Sequence, residues 1–373
     1  MTQETTPTKI LTLASGDLWA GAEAVVYQIA TGLHGNPSIQ HTVVLLNHGR
    51  LEMLCSQAGI DTRVIDESMH SFPAILAKLV AICRSVRPHI IHAHRYKENL
   101  LASIAAMVCG RPRLITTVHG LSEGINKTIK GKMKSTVNQL LLRRVFDTTV
   151  AVSQDVARSL GEQAGVSAKR LMTIVNGIDL HNGLKKTRAL RDTFIIGSAG
   201  RLFPVKDYPL MVDIAELTCA QRTNARFILA GDGPEEETIL QKIRSCGLED
   251  RFTLLGHVED MQAFYAGLDL YINTSMHEGI PMTVLEAMSW RIPIVAFAVG
   301  GLNEMISHGH DGYLIQNRDA QEFSQRLIEL IDDRERLDTL GENAGSTCKK
   351  FSTDQMSQNY YNVYIQALKE EPQ

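Results

Sequence analysis

Two carboxylates set the chemistry this chain can attempt. Glu278 and Glu286 stand with seven residues between them in the stretch Asn273-Thr274-Ser275-Met276-His277-Glu278-Gly279-Ile280-Pro281-Met282-Thr283-Val284-Leu285-Glu286. The apolar run Leu268-Asp269-Leu270-Tyr271-Ile272 ahead of them reads as a buried strand, and Val284 to Trp290 reads as a helix. Glu278 then falls in the connecting loop and Glu286 one turn into the helix. A loop leaving the carboxyl end of a parallel strand opens on the ligand crevice of an α/β sheet. The helix start adds backbone N–H groups suited to hydroxyl or phosphate oxygens. Pro281 has no N–H, which leaves Gly279, Ile280 and Met282 as the donors. Carboxylates beside such donors can grip the vicinal hydroxyls of a sugar. The same spacing arises by chance in many chains, so its weight depends on its companions.

The companions are cations and histidines at other strand ends. Arg201 and Lys206 lie in Gly200-Arg201-Leu202-Phe203-Pro204-Val205-Lys206-Asp207-Tyr208, between a strand at Phe194–Ala199 and a helix at Leu210–Cys219. An Arg fork and a Lys point charge there could neutralise a diphosphate. His119 ends the strand Arg113–Val118 and precedes Gly120. Position alone leaves His119 open between a ligand-facing side chain and a capped surface one. His92 and His94 share one face of the strand Ile90–His94. They lack a third metal ligand, a structural role is the alternative, and His94 is the better placed to line a cleft.

The elements that must carry these residues alternate strand and helix twice over. Strands are expected at Lys9–Ala14, His41–Leu46, Thr62–Ile65, Ile90–His94, Arg113–Val118, Thr148–Val152 and Leu171–Val175, with helices at Ala24–Leu33 and Ala74–Val86. After the turn Asn176-Gly177-Ile178-Asp179 comes a polar, basic linker, and the alternation restarts at Phe194. Strands follow at Arg226–Ala230, Phe252–Leu255 and Ile292–Ala296, and helices at Glu235–Arg244, Met261–Ala266, Ala320–Ile331, Glu335–Cys348 and Thr353–Leu368. In Gly231-Asp232-Gly233-Pro234 the glycines suit a sharp turn and the proline a first helical turn. The expected organisation is α/β: a first domain over 1–180, a linker over 181–192, a second domain over 193–352 and a terminal helix over 353–373.

Bulk properties narrow the classes. The 373 residues suffice for two domains, and a net charge of −3 exerts no general pull on nucleic acid. Six scattered cysteines with no C-x-x-C pair read as reduced thiols. The polar start, Met1–Thr8, has no apolar signal core, and no apolar run reaches spanning length, so a cytoplasmic protein is expected. Residues 126–146 carry six cations, Lys127, Lys130, Lys132, Lys134, Arg143 and Arg144, and no acid. Met133, Val137, Leu140, Leu141 and Val145 recur there at helical spacing. Such a helix serves either an anionic membrane surface or the domain core, with its cations simply solvated.

In order along the chain, His119-Gly120, Asn176-Gly177-Ile178-Asp179, Arg201 with Lys206, Glu278 with Glu286, Val299-Gly300-Gly301-Leu302 and Asp311-Gly312-Tyr313-Leu314 resemble the retaining glycosyltransferases of family 4. The resemblance covers nearly the whole chain and is densest from Gly200 to Leu314. It implies the GT-B fold: two Rossmann-like domains facing across a cleft, acceptor domain first and donor domain second, with the C-terminal helix returning to the N-terminal domain. It implies a nucleotide-sugar donor, UDP favoured, as substrate rather than cofactor. Arg201 and Lys206 would stabilise the leaving diphosphate, Glu286 would hold the ribose, and Glu278 with its neighbouring N–H groups would hold the sugar. His119 would bind a sugar hydroxyl. The family's Gly-Gly-x-Glu loop beside the donor phosphates appears as Ala20-Gly21-Ala22-Glu23, which keeps Gly21. His94, Lys130 and Lys134 fall on the acceptor side, the acceptor being a glycan or a lipid-linked one of bacterial surface polysaccharide or glycolipid synthesis. No Asp-x-Asp pair occurs in the chain, so no metal clamp on the diphosphate is indicated. Alternatives are a nucleotide-sugar 2-epimerase of the same two-domain fold, which needs no acceptor, and a bilobed sugar-binding protein.

Overall fold

The computed structural model describes residues 7–17, 19, 21–120, 129–180 and 192–369, and divides into two compact units. The first takes Met1–Gly177 together with Thr353–Gln373, the second Ile178–Ser352. The expected linker at 181–192 lies, apart from Asp192, outside the described residues, as do Ala20 and Lys127.

The first unit runs β1 (Thr8–Ala14), α1 (Gly21–Leu33), β2 (Ile39–Leu45), α2 (Arg50–Gln57), β3 (Asp61–Val64), α3 (Phe72–Val86), β4 (Ile90–Ala93), α4 (Tyr96–Val108), β5 (Arg113–Val118), α5 (Ile129–Arg144), β6 (Thr148–Ala151), α6 (Gln154–Glu162) and β7 (Leu171–Thr173). Its sheet is wholly parallel in the order β3-β2-β1-β4-β5-β6-β7. The strands most enclosed, such as Ile90–Ala93, are buried at every position, as a parallel sheet covered on both faces requires. Chain order reverses between β1 and β4, and this switch point is where an open parallel sheet leaves a crevice.

The second unit runs β8 (Phe194–Ala199), α7 (Tyr208–Gln221), β9 (Ala225–Ala230), α8 (Glu236–Ser245), β10 (Phe252–Gly256), α9 (Met261–Gly267), β11 (Leu270–Asn273), α10 (Met282–Ser289), β12 (Ile294–Phe297), α11 (Leu302–Met305), β13 (Gly312–Ile315), α12 (Ala320–Asp332) and α13 (Arg334–Cys348). Its parallel sheet is ordered β10-β9-β8-β11-β12-β13, with the switch between β8 and β11. Arg201 and Lys206 leave β8, and Glu278 leaves β11, so topology alone delivers them to one crevice.

The last helix, α14 (Thr353–Lys369), belongs to the first unit and packs on α1. A Cβ on Gly32 would sit 2.0 Å from Ser357 Oγ, so the two helices approach backbone to side chain. Tyr360 and Tyr364 of α14 are buried. Their hydroxyls reach Thr117 Oγ1 at 3.0 Å and His92 Nδ1 at 2.8 Å. All six cysteines are free thiols, four of them buried.

Candidate active site

The second unit builds its site from the loop after β8. Gly200 N–H donates to Ala230 O at 3.0 Å and Leu202 N–H to Asp232 O at 2.7 Å, pinning this loop to the one after β9. A Cβ on Gly231, at φ +142°, would meet Gly200 O at 1.9 Å, so the contact tolerates no side chain. Leu202 is fully buried and anchors the loop. Its neighbour Arg201 is exposed, with the guanidinium 4.8 Å over the Phe203 ring. Pro204–Lys206 form one turn of 3-10 helix, which closes at Asp207 in a left-handed conformation.

Lys206 Nζ donates to Glu278 Oε1 at 2.5 Å. Ser275 Oγ, at 2.6 Å, and Asn273 Nδ2, at 3.3 Å, donate to the same oxygen. Two bonds to backbone carbonyls reinforce the pairing of the two loops: Thr274 Oγ1 donates to Lys206 O at 2.9 Å and Met276 N–H to Val205 O at 2.8 Å. The third wall is the turn after β12. Gly301 N–H donates to Glu278 O at 3.1 Å. Cβ atoms on Gly300 and Gly301 would lie 2.0 Å from Glu278 O and 1.7 Å from Gly279 O.

Gly279 and Ile280 lead through Pro281 into Met282, the first residue of α10, where first-turn N–H groups face the crevice end of the helix. Glu286 stands in the second turn. Tyr265 Oη, from the buried face of α9, donates to Glu286 Oε2 at 2.5 Å. Burial raises the Glu286 carboxyl above its ordinary value, and the Tyr265 hydrogen bond partly offsets this by favouring the anion.

In the first unit the β1/β4 switch point holds a second cluster. Gly21 opens α1 rather than sitting in the loop, and Glu23 in the same turn is buried at 2% exposure. Arg95 Nη2 donates to Glu23 Oε1 at 2.5 Å, and Arg95 Nη1 lies 3.7 Å from Asp17. His94 Nδ1 and His119 Nε2 are 3.0 Å apart, with the rings stacked at 25°. His92 lies against His94, ring centroids 4.2 Å apart, and its own nitrogens bond Tyr364 Oη and Thr117 Oγ1. Among the described residues, His94 Nε2 and His119 Nδ1 are buried without a hydrogen-bond partner. Burial first, and neighbouring histidines and Arg95 second, push His92 and His119 down to about 3 and His94 well below its ordinary value, so all three are neutral at pH 7. Among the described residues no group of three His, Cys, Asp or Glu side chains is arranged to hold a metal ion.

The basic helix does not present the expected apolar stripe. Leu141 and Val145 pack on the core with buried Leu142 and Val137 is half-buried, whereas Met133 and Leu140 are exposed on the helix that carries Lys132 and Lys134. Lys130 falls in α5, but its side chain lies outside the described residues. The sequence reading missed Asn273, Ser275, Tyr265 and Arg95. Only Arg95, a charge directly after a strand-end histidine, carried a signal that could have marked it.

Residues 19–182 match the family model described as Glycosyltransferase Family 4, and residues 184–347 match the model described as Glycosyl transferases group 1. The chain belongs to glycosyltransferase family 4. This family-4 glycosyltransferase is 26% identical over 310 residues to N-acetyl-alpha-D-glucosaminyl L-malate synthase of Bacillus anthracis, a match covering 80% of each chain. It is 24% identical over 311 residues to the Escherichia coli UDP-Gal:alpha-D-GlcNAc-diphosphoundecaprenol alpha-1,3-galactosyltransferase, 76% of this chain and 80% of that one. Anabaena HepE, crystallised with UDP and glucose, superposes with a TM-score of 0.83 at 25% identity, covering 96% of this chain and 99% of HepE. The two parallel sheets, with α14 on α1, make this the GT-B fold. Among the described residues no helix of the glycosyltransferase is long and apolar enough to cross a membrane.

Proposed function

We propose that the protein transfers a sugar, with retention of anomeric configuration, from UDP-sugar to a glycan or lipid-linked acceptor in bacterial surface polysaccharide or glycolipid synthesis. The observation that carries this reading is the Lys206–Glu278 pair, a cation and a carboxylate brought together from two loops at one switch point. We assign the donor to the second unit and the acceptor to the first.

As the bond to the sugar breaks, negative charge grows on the diphosphate oxygens. Lys206 is fixed by its turn and Arg201 by Phe203, so charge stabilisation costs little reorganisation at that moment. These cations take the electrostatic role a divalent metal would otherwise fill. Glu278, flanked by the N–H groups entering α10, accepts from hydroxyls of the sugar. Glu286, steadied by Tyr265, accepts from the ribose. His119 is assigned to a further sugar hydroxyl through its buried Nδ1, which has no partner among the described residues. With no enzymic nucleophile required, the acceptor attacks on the face the diphosphate leaves, its proton passing to a diphosphate oxygen.

The names of the relatives support UDP and a lipid diphosphate as the starting probes: HepE was crystallised with UDP, and the E. coli enzyme acts on a diphosphoundecaprenol sugar. Lys132 and Lys134 beside Met133 and Leu140 suit the anionic cytoplasmic face of a membrane. The test is transfer from a panel of UDP- and GDP-sugars, with and without anionic vesicles carrying polyprenyl-diphosphate sugars. Lys206→Ala and Arg201→Ala should each lower kcat by about 100-fold or more. Near-wild-type transfer by either variant, or turnover of the donor into an epimer with no acceptor present, would overturn the assignment.

A further inference from the structure

Arg318 sits between β13 and α12, on neither loop that carries the charged pair. Its Nη1 donates to Ser275 O at 2.8 Å, and its Nη2 donates to Thr274 O at 2.8 Å and to Asp207 Oδ2 at 2.6 Å. The guanidinium lies 4.6 Å over the ring of Phe297, the buried last residue of β12. One planar group therefore ties the turn leaving β8 to the loop leaving β11 while resting on the end of β12. Asp207 directly follows Lys206 and holds a left-handed backbone conformation at φ 47°. Ser275 in turn donates to Glu278.

We infer that Arg318 is a positioning residue for the Lys206–Glu278 pair and, through it, sets affinity for the donor's diphosphate. Two physical effects support this. Arg318 holds the Asp207 carboxylate on one side of the pair and the Thr274 and Ser275 carbonyls on the other, so it clamps the two loops in addition to the bonds they make directly to each other. It also neutralises Asp207, whose carboxylate would otherwise stand next to Lys206 and compete with a bound anion for that cation. Lysine cannot reproduce the planar fork that reaches two carbonyls and a carboxylate at once.

The inference rests on the proposed role of Lys206, and the experiment separates the two. Binding of UDP, with GDP and ADP in parallel, is measured by calorimetry on wild type, Arg318→Ala, Lys206→Ala and the double variant, with thermal melts confirming folding. Arg318→Ala should bind about tenfold more weakly, and the double variant should be no weaker than Lys206→Ala alone beyond about twofold, as expected of residues acting through one contact. Millimolar guanidinium should restore binding to Arg318→Ala, whereas sodium chloride at equal ionic strength should not. If Arg318→Ala does not fold, Arg318→Lys replaces it, with partial loss expected. Weakened Lys206→Ala with unchanged Arg318→Ala, or losses that multiply in the double variant, would overturn the role of Arg318 alone. An unchanged Lys206→Ala would overturn the proposed role of Lys206 and this inference with it.

Discussion

Glu278 and Glu286 are the same residue type eight positions apart, yet the fold gives them different partners. Glu278 meets a lysine, a serine and an asparagine on one oxygen; Glu286 meets one buried tyrosine. The spacing of the two acids was legible because it is local. Tyr265 was not, because its hydroxyl reaches Glu286 from another helix and no pattern marks it. The histidines extend the contrast. Strand alternation put His92 and His94 on one face, but only the fold shows His119 joining them. Burial pushes the His92 imidazole down to about 3 from an ordinary value of 6.5. The unfolded chain therefore takes up protons first as the pH falls through 6.5, so this contribution to stability is complete above that value and drains away toward pH 3. His92→Gln should remove about 1.4 kcal/mol per pH unit from the slope of unfolding free energy between about pH 6 and 4, read from denaturant melts.

The elements that hold the site are strand ends separated by short loops. The buried strands were easy to see, since a strand covered on both faces is a near-continuous apolar run. The helices α2, α4 and α6 escaped notice. In α4 the buried face mixes Leu101, Ala102, Ala105 and Ala106 with Glu98, Asn99 and Ser103, which blurs the helical period. The Gly300-Gly301 turn was recognised as a motif, but its purpose appears only in space: it presses on the backbone of Glu278 and Gly279. Gly301→Ala must move that backbone. Transfer should fall at least about tenfold and stability by about 1–3 kcal/mol. Gly267→Ala, where a Cβ meets nothing within 4 Å, should leave both unchanged. Activity assays paired with thermal melts on the two variants decide the matter.

At the level of the whole molecule, the chain passes from the first unit to the second at Gly177–Ile178 and returns at Ser352–Thr353. Ile178 is bridged to Ser352, and its N–H donates to Phe351 O at 2.7 Å. The returning helix buries Met356, Tyr360, Val363, Tyr364 and Ala367. Each large side chain among them contributes about 1.5–3 kcal/mol, so their sum rivals the roughly 5–15 kcal/mol that holds a typical domain together. A chain stopped after Ser352 should lose the cooperative unfolding of its first unit and all transfer, yet still bind UDP through the second. Calorimetric melting with and without UDP tests both halves of that expectation. The same connectivity dictates a schedule on the ribosome. The second unit is complete in sequence before Thr353 is made, whereas the first waits, with His92 lacking its tyrosine, until the last stretch of chain emerges. A stall or frameshift just after Ser352 would release a finished second unit attached to an unfinished, aggregation-prone first one.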